Sequence, residues 1–197
     1  MRDSSSLYLA SRSPRRAELL DQIGVPHQPV ESEVDEAPRA GEPPASYVER
    51  LARDKAMAGA GVLGLPDGRG TLVLGADTAI ELDGAILGKP QDPGGARRHL
   101  TALSGQEHEV LSAVAISDGH TTESRLSRTR VRMRALEADE IEAYIETGEP
   151  MDKAGAYAIQ GRGAVFVERI TGSYSAVMGL PLYETDQLLR RFGAGAF

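Results

Sequence analysis

Hydrophobic and polar positions along the chain switch repeatedly between a period of two and a period near 3.6. A short apolar run, Leu7-Tyr8-Leu9-Ala10, suits a buried strand and breaks at Ser11-Arg12-Ser13 into a helical pattern over about residues 14–23. Ser13 stands at the N-cap and Pro14 at the first helical position, where its missing N–H costs nothing. Gly24-Val25-Pro26 ends that helix, and residues 27–30 predict a short strand. Past a Pro-rich loop at 37–44, Tyr47, Val48, Leu51, Ala52 and Ala56 recur at helical spacing. They predict a helix over about 45–60, with Ser46 as its cap and a Gly-rich connection at 59–70 after it. Residues 71–78 read as a fully buried strand ending on Asp77-Thr78. Asp83-Gly84, between the apolar pieces 79–82 and 85–87, is a hairpin signal.

The second half continues in the same manner. Asp92 caps a helix to about Leu103, closed by Ser104-Gly105. Residues 108–117 and about 121–133 form a long hairpin around Asp118-Gly119, and 137–147 form a helix with Ile141, Tyr144 and Ile145 inward. Residues 156–159 and 164–170 predict two more strands, Gly172-Ser173-Tyr174 a turn, and 181–192 a final helix. Helices alternating with strands predict an α/β fold built on a mixed twisted sheet with flanking helices. No repeat and no long linker divides it, so residues 1–197 read as one domain.

Charge and composition narrow the function. The net charge of −7 argues against broad binding to nucleic acid or an anionic membrane. Cysteine is absent, which excludes disulfides, thiolate metal sites and a cysteine nucleophile. The N-terminus lacks the apolar stretch of a signal peptide and no segment approaches a membrane span, so a cytoplasmic protein is expected. Arg128, Arg130, Arg132 and Arg134 lie at period two on one strand face; without interleaved aromatics they read as a solvated face rather than a nucleic-acid stripe.

The candidate chemistry lies at strand and helix ends. A strand feeding a helix N-terminus through a loop with Arg12, Arg15 and Arg16 makes an anion site, with free N–H groups, the helix dipole and fork-shaped donors. Asp77, just past a buried strand, stands where open α/β sheets place chemistry. The acidic run Glu31-Ser32-Glu33-Val34-Asp35-Glu36 reads on its own as a solvated loop. Arg53, Lys55, Lys89 and Lys153 add cations, and Glu36, Asp77 and Asp152 carboxylates suited to Mg²⁺ or Mn²⁺. Convergence of these groups on one cleft would suit a polyphosphate, which needs several cations. The four histidines show no metal-ligand spacing.

Eight pieces occur in order: Ser11-x-Ser13-Pro14-Arg15-Arg16, Val34-Asp35-Glu36, Arg53-Asp54-Lys55, Gly75-Ala76-Asp77-Thr78, Gly88-Lys89-Pro90, Leu103-Ser104-Gly105, Asp152-Lys153-Ala154-Gly155-Ala156-Tyr157-x-Ile159-Gln160-Gly161 and Gly179-Leu180-Pro181-Leu182. In this the chain resembles the Maf family over about residues 7–192. The resemblance implies a nucleoside triphosphate pyrophosphatase with two lobes around a central cleft, similar to inosine triphosphate pyrophosphatases. It also implies a divalent cation, Mg²⁺ or Mn²⁺, as cofactor, and a homodimer as a form to expect. Asp77 matches the family's catalytic carboxylate, either as proton acceptor or as metal ligand, and Glu36 its second acidic residue. Arg16, Lys55 and Lys89 match a phosphate clamp; Ser11, Ser13 and Lys153 fall in matched substrate-binding segments; Arg15, Thr78 and Gln160 match positions tied to base choice. The Asp152–Gln160 block is similar to the subgroup acting on dTTP and UTP, with the 7-methyl-GTP subgroup and a septum-formation regulator as alternatives. Arg12 replaces a small residue and Ala158 a common glycine.

Overall fold

The structure, a computed structural model, describes residues 6–65 and 70–196; the stretch 66–69 of the Gly-rich connection lies outside the described residues. A seven-stranded mixed sheet runs in the order β2-β1-β3-β5-β6-β7, with β4 on the flank of β3. Strand β1 (Ser6–Ala10) pairs in parallel with β2 (Gln28–Pro29) and with β3 (Thr71–Leu82). The remaining pairs, through β4 (Ala85–Leu87), β5 (Glu107–Ser117), β6 (Thr122–Met133) and β7 (Val167–Thr171), are antiparallel.

Helices cover both faces, and the alternation along β3 shows how. Leu72, Leu74 and Ala76 pack with α1 (Pro14–Gln22) and α6 (Leu182–Arg191). Ile80 joins a second cluster with α3 (Pro93–Leu103) and α4 (Ala138–Glu146). On the opposite face Ala79, with Leu111, Ala113 and Ala115 of β5, packs against Val48, Ala52 and Ala56 of α2 (Pro44–Val62). Small side chains dominate that contact, and Gly75 lets it close. A Cβ there would lie 2.3 Å from the Ala52 carbonyl oxygen and 2.5 Å from the Ala56 nitrogen. No helix of the described residues is long and apolar enough to cross a membrane.

Several expectations shift at their edges or change type. Pieces 71–78 and 79–82 form one strand, because β5 pairs with it continuously from Val73 to Glu81. Helix α2 starts at Pro44, so Ser46 lies inside its first turn rather than capping it, and it runs on to Val62. Residues 156–159 are not a strand; a short 3₁₀ turn at Ala154–Ala156 leads into irregular chain. Residues 164–170 divide into a 3₁₀ segment, Arg162–Phe166, and β7. The expected turn at 172–174 continues into a one-turn helix, α5 (Tyr174–Met178), capped by Ser173. The arginine stripe is a solvated face: Arg128, Arg130, Arg132 and Arg134 pair with Glu109, Glu107, Glu168 and Glu140. None of the four histidines belongs to a possible metal cluster among the described residues.

Gly75→Ala is expected to lower stability by about 3 kcal/mol, the upper part of the usual overpacking range, since backbone rather than a flexible side chain must yield; urea unfolding measures it. A second expectation concerns His108, 3% exposed, with Nε2 2.9 Å from the Tyr157 hydroxyl. Burial pushes its pKa down to about 4. The unfolded chain therefore binds the proton more readily between about pH 6.5 and 4, and stability falls as pH drops through that window, by roughly 3 kcal/mol in total. Unfolding of wild type and His108→Gln at pH 7 and 4.5 checks this: the wild type loses more stability between the two.

Candidate active site

The site follows from an interruption in sheet pairing. Strand β1 ends with Ala10 opposite Gly75, and antiparallel β4 ends with Leu87 opposite Ile80. Between those points β3 has no strand partner on that side, and a cleft of about 1490 Å³ opens at Asp77, Thr78 and Ala79. The loop leaving β1 and the start of α1 form one wall; Gly88, Lys89 and the 152–160 segment form another. Of the sequence-predicted residues, Ser11, Ser13, Arg15, Arg16, Glu36, Lys55, Asp77, Thr78, Lys89, Lys153 and Gln160 line this cleft, and Arg53 does not.

At its floor Lys55 joins two carboxylates. Helix α2, seated on Gly75, carries Lys55 over β3, and its ammonium lies 2.7 Å from Asp77 Oδ1 and 2.7 Å from Glu36 Oε1. The Asp77 and Lys55 side chains are nearly buried, each 12% exposed, whereas Glu36 remains open to solvent. Burial works against charge on Glu36, but the Lys55 hydrogen bond and the fields of Lys55, Lys89 and Arg16 outweigh it. Its carboxyl is held below the usual glutamate value. Tyr47, two turns before Lys55 on α2, donates its hydroxyl proton to the Glu36 carbonyl oxygen at 2.9 Å. Burial, with the Asp77 and Glu36 charges, pushes that phenol up to about 12, so it stays a donor. Read from sequence as a core position, Tyr47 was missed; its spacing of eight from Lys55, which puts both on one face, is the signal that would have found it.

The cationic wall is held by backbone and hydroxyl groups. Arg16 Nε donates to the Gly179 carbonyl at 2.9 Å and Nη1 to Ser11 Oγ at 3.0 Å, while Ser11 Oγ also accepts from the Ser13 N–H. Burial lowers the Arg16 pKa, countered by Asp77 and Glu36, and the guanidinium keeps its charge. Ser13 makes no side-chain cap bond to α1, which leaves that helix end turned toward the cleft without a cap of its own. Thr78 Oγ1 lies 2.9 Å from Ser112 Oγ and within 3.4 Å of the Gly179 carbonyl, tying β3, β5 and the α5–α6 turn together. Arg15 approaches Asp152 at 4.0 Å, and Lys153 contacts Asp152 directly. Arg53 does not join; its guanidinium bonds Ser124 on β6.

A sharp reversal delivers the 152–160 segment. Gly155 (φ 66°) and Ala156 (φ 63°) are consecutive left-handed residues, and Gly155 N–H bonds the Gly88 carbonyl at 3.1 Å beside Lys89. The positive φ favours glycine at 155, and a Cβ there would lie 2.4 Å from Ile80 Cδ1, which would have to move aside. Ala158, in place of a glycine, needs no positive φ.

Two carboxylates converge on one cation position, and no group of three or more acidic or histidine ligands exists among the described residues. Such a half-set fits a hard divalent cation that takes its other ligands from water and phosphate oxygens.

Residues 6–192 match the family described as Maf-like protein. The dTTP/UTP pyrophosphatase of Aromatoleum aromaticum is 55% identical over 95% of both chains. That of Pseudoalteromonas atlantica is 53% identical over 94% of this chain and 96% of its own. That of Chromobacterium violaceum is 48% identical over 97% and 96%. Among solved structures, the Staphylococcus aureus Ham1 protein aligns over 65% of this chain and 71% of its own, with a TM-score of 0.47 at 15% identity.

Removing Lys55 leaves the Asp77 carboxylate nearly buried without its partner. Lys55→Met is expected to cost about 3 kcal/mol, and the double variant with Asp77→Asn to recover part of it; a double-mutant cycle by denaturant unfolding measures the coupling.

Proposed function

The chain belongs to the Maf-like protein family, and on that premise we propose that it hydrolyses dTTP and UTP to the nucleoside monophosphate and pyrophosphate. The observation that carries this reading is the pair of carboxylates, Glu36 and Asp77, meeting one ammonium in a cleft walled by arginine and lysine. A cleft built only to hold a triphosphate has no use for a nearly buried carboxylate, which repels its ligand.

In this reading the chain is a single domain whose two lobes flank the cleft. Asp77 takes the proton of the water that attacks the α-phosphorus. The bond from that phosphorus to the α–β bridging oxygen breaks, and pyrophosphate leaves with the electron pair. Arg16, Lys55 and Lys89 stabilise the charge that grows on the phosphoryl oxygens and the leaving group. Their arrangement is set before substrate arrives: Arg16 is anchored on Gly179 and Ser11, and Lys55 by the seat of α2. Glu36 and Asp77 would hold Mg²⁺ or Mn²⁺, which when bound neutralises phosphate charge and polarises the phosphoryl group. Ser11, Ser13 and Lys153 contact the phosphates, and Arg15 and Thr78 act with Gln160 in base choice. The Gln160 amide, at once donor and acceptor, pairs with the N3–H and C4 carbonyl edge shared by uracil and thymine.

Pyrophosphate release from dTTP, UTP, CTP, GTP, ATP and 7-methyl-GTP, with Mg²⁺ or Mn²⁺ and with EDTA, tests the reading. Metal-dependent release from dTTP and UTP above the rest is expected, and Asp77→Asn should lower kcat/KM by roughly 10³-fold while nucleotide binding persists. Preference for 7-methyl-GTP overturns the pyrimidine assignment. Binding without release from any nucleotide points instead to a regulatory nucleotide-holding protein.

A further inference from the structure

Outside the cleft wall, one carboxylate is used in an unusual way. Glu149 follows Gly148 at the end of α4, and its side chain turns back beneath the segment that carries Gln160. Its Oε1 accepts from the Tyr144 hydroxyl at 2.7 Å and from the Gly163 N–H at 3.1 Å, and its Oε2 from the Arg162 N–H at 3.0 Å. Tyr144 in turn accepts from the Ala158 N–H at 3.2 Å, with its ring edge-on to Phe166 at 5.0 Å. The chain is thus held two residues before Gln160 and two and three residues after it. Gly161 makes room for this: a Cβ there would lie 2.5 Å from the Glu149 carboxylate. Gly161 has φ −116°, so space rather than backbone freedom requires the glycine.

We propose that Glu149 is a positioning residue for base selection, which with Tyr144 clamps the 158–163 turn and so fixes where the exposed Gln160 amide meets the base. The proposal rests on the reading of Gln160 as the base-contacting residue. The turn has no strand partner or long helix to hold it. Gln160 itself is exposed, and on the described face of the turn the anchoring bonds run to Glu149 and Tyr144. A carboxylate suits the task because both its oxygens accept, so it can take two backbone N–H groups and a phenol at once. Burial disfavours charge on Glu149, yet these donors and nearby Lys153 outweigh it and keep the carboxyl below its usual value. A glutamine has one accepting oxygen and an amide that donates; it retains the shape but cannot serve all three donors.

Kinetics on dTTP, UTP, CTP and ATP with wild type, Gln160→Ala, Glu149→Gln, Gly161→Ala and the Glu149→Gln/Gln160→Ala double variant test the clamp. Gly161→Ala displaces the carboxylate without altering its chemistry, and supplies the answer if Glu149→Gln does not fold. Glu149→Gln and Gly161→Ala are each expected to lower the ratio of kcat/KM for dTTP over ATP by about tenfold, with most of the loss in KM for dTTP. The double variant should discriminate no worse than Gln160→Ala alone, because the clamp acts through that side chain. Unchanged discrimination in the clamp variants, where wild type prefers dTTP and Gln160→Ala does not, overturns the clamp and leaves the pyrimidine reading standing. Additive losses in the double variant also overturn it. If wild type shows no preference, or Gln160→Ala retains it, the reading of Gln160 falls and the proposal falls with it.

Discussion

Helix α2 lies on strand β3 so closely at Gly75 that a methyl group would meet helix backbone on two sides. The chemistry of the cleft depends on that approach. A residue two positions along the same strand face, Asp77, then lies within reach of a side chain leaving the helix at Lys55. The larger side chains of an ordinary helix–sheet interface would hold the helix farther out, and a lysine would cross the gap only as an extended, mobile arm. With Ala52, Ala56, Ala79, Ala113 and Ala115 between them, the two elements meet nearly backbone to backbone. The ammonium reaches the carboxylate with most of its length buried, and the rotamer entropy that weakens exposed ion pairs is lost on folding rather than on binding.

Charge is distributed with the same economy. The molecule carries net −7, yet its cleft gathers Arg12, Arg15, Arg16, Lys55, Lys89 and Lys153. The acidic excess keeps the outer surface from binding polyanions indiscriminately, while the enclosed cations act at short range in a medium less polar than water. The Arg128–Arg134 face shows the contrasting case. Its four arginines are each paired with a glutamate of a neighbouring element, so their charge is neutralised locally.

Sequence patterning located most of this because the relevant elements are strongly periodic. The apolar runs of β1 and β3, the helical stripe of α2 and the two-residue turn at Asp83-Gly84 each obey a local rule, and both turn residues have the expected positive φ. Patterning failed where tertiary contacts override local preference. Residues 156–159 are apolar and strand-like, but the left-handed pair at Gly155 and Ala156 turns them into the core, where Tyr157 meets His108 and Ile159 joins the α3–α4 cluster. Nothing local to that run announces the reversal. Ser46 has a good capping side chain, yet Pro44 starts the helix two residues earlier. Tyr47 reads as an inward aromatic, and only the position of the Glu36 loop gives its hydroxyl a use. The convergence of residues spread from Ser11 to Gln160 is a property of topology, which no local window contains.

That topology explains why the site lies where it does. An unpaired stretch of strand is normally a liability, because its free edge invites another chain to pair with it. Here β3 is bare on one side only between Gly75 and Ile80, a short gap closed at both ends by paired strands. The flanking strands β1 and β4 act as stops at either end, while β5 pairs with β3 across the whole interval on the other side. The bare segment is therefore rigid without being covered. Side chains there alternate between the α2 face and the α1–α6 face, so adjacent residues serve different walls: Asp77 meets Lys55 below, and Thr78 meets Ser112 and Gly179 above. A helix would place neighbouring side chains about 100° apart on one surface. A strand with a local gap in its pairing instead delivers an acid to one side and a hydroxyl to the other, held by a single backbone.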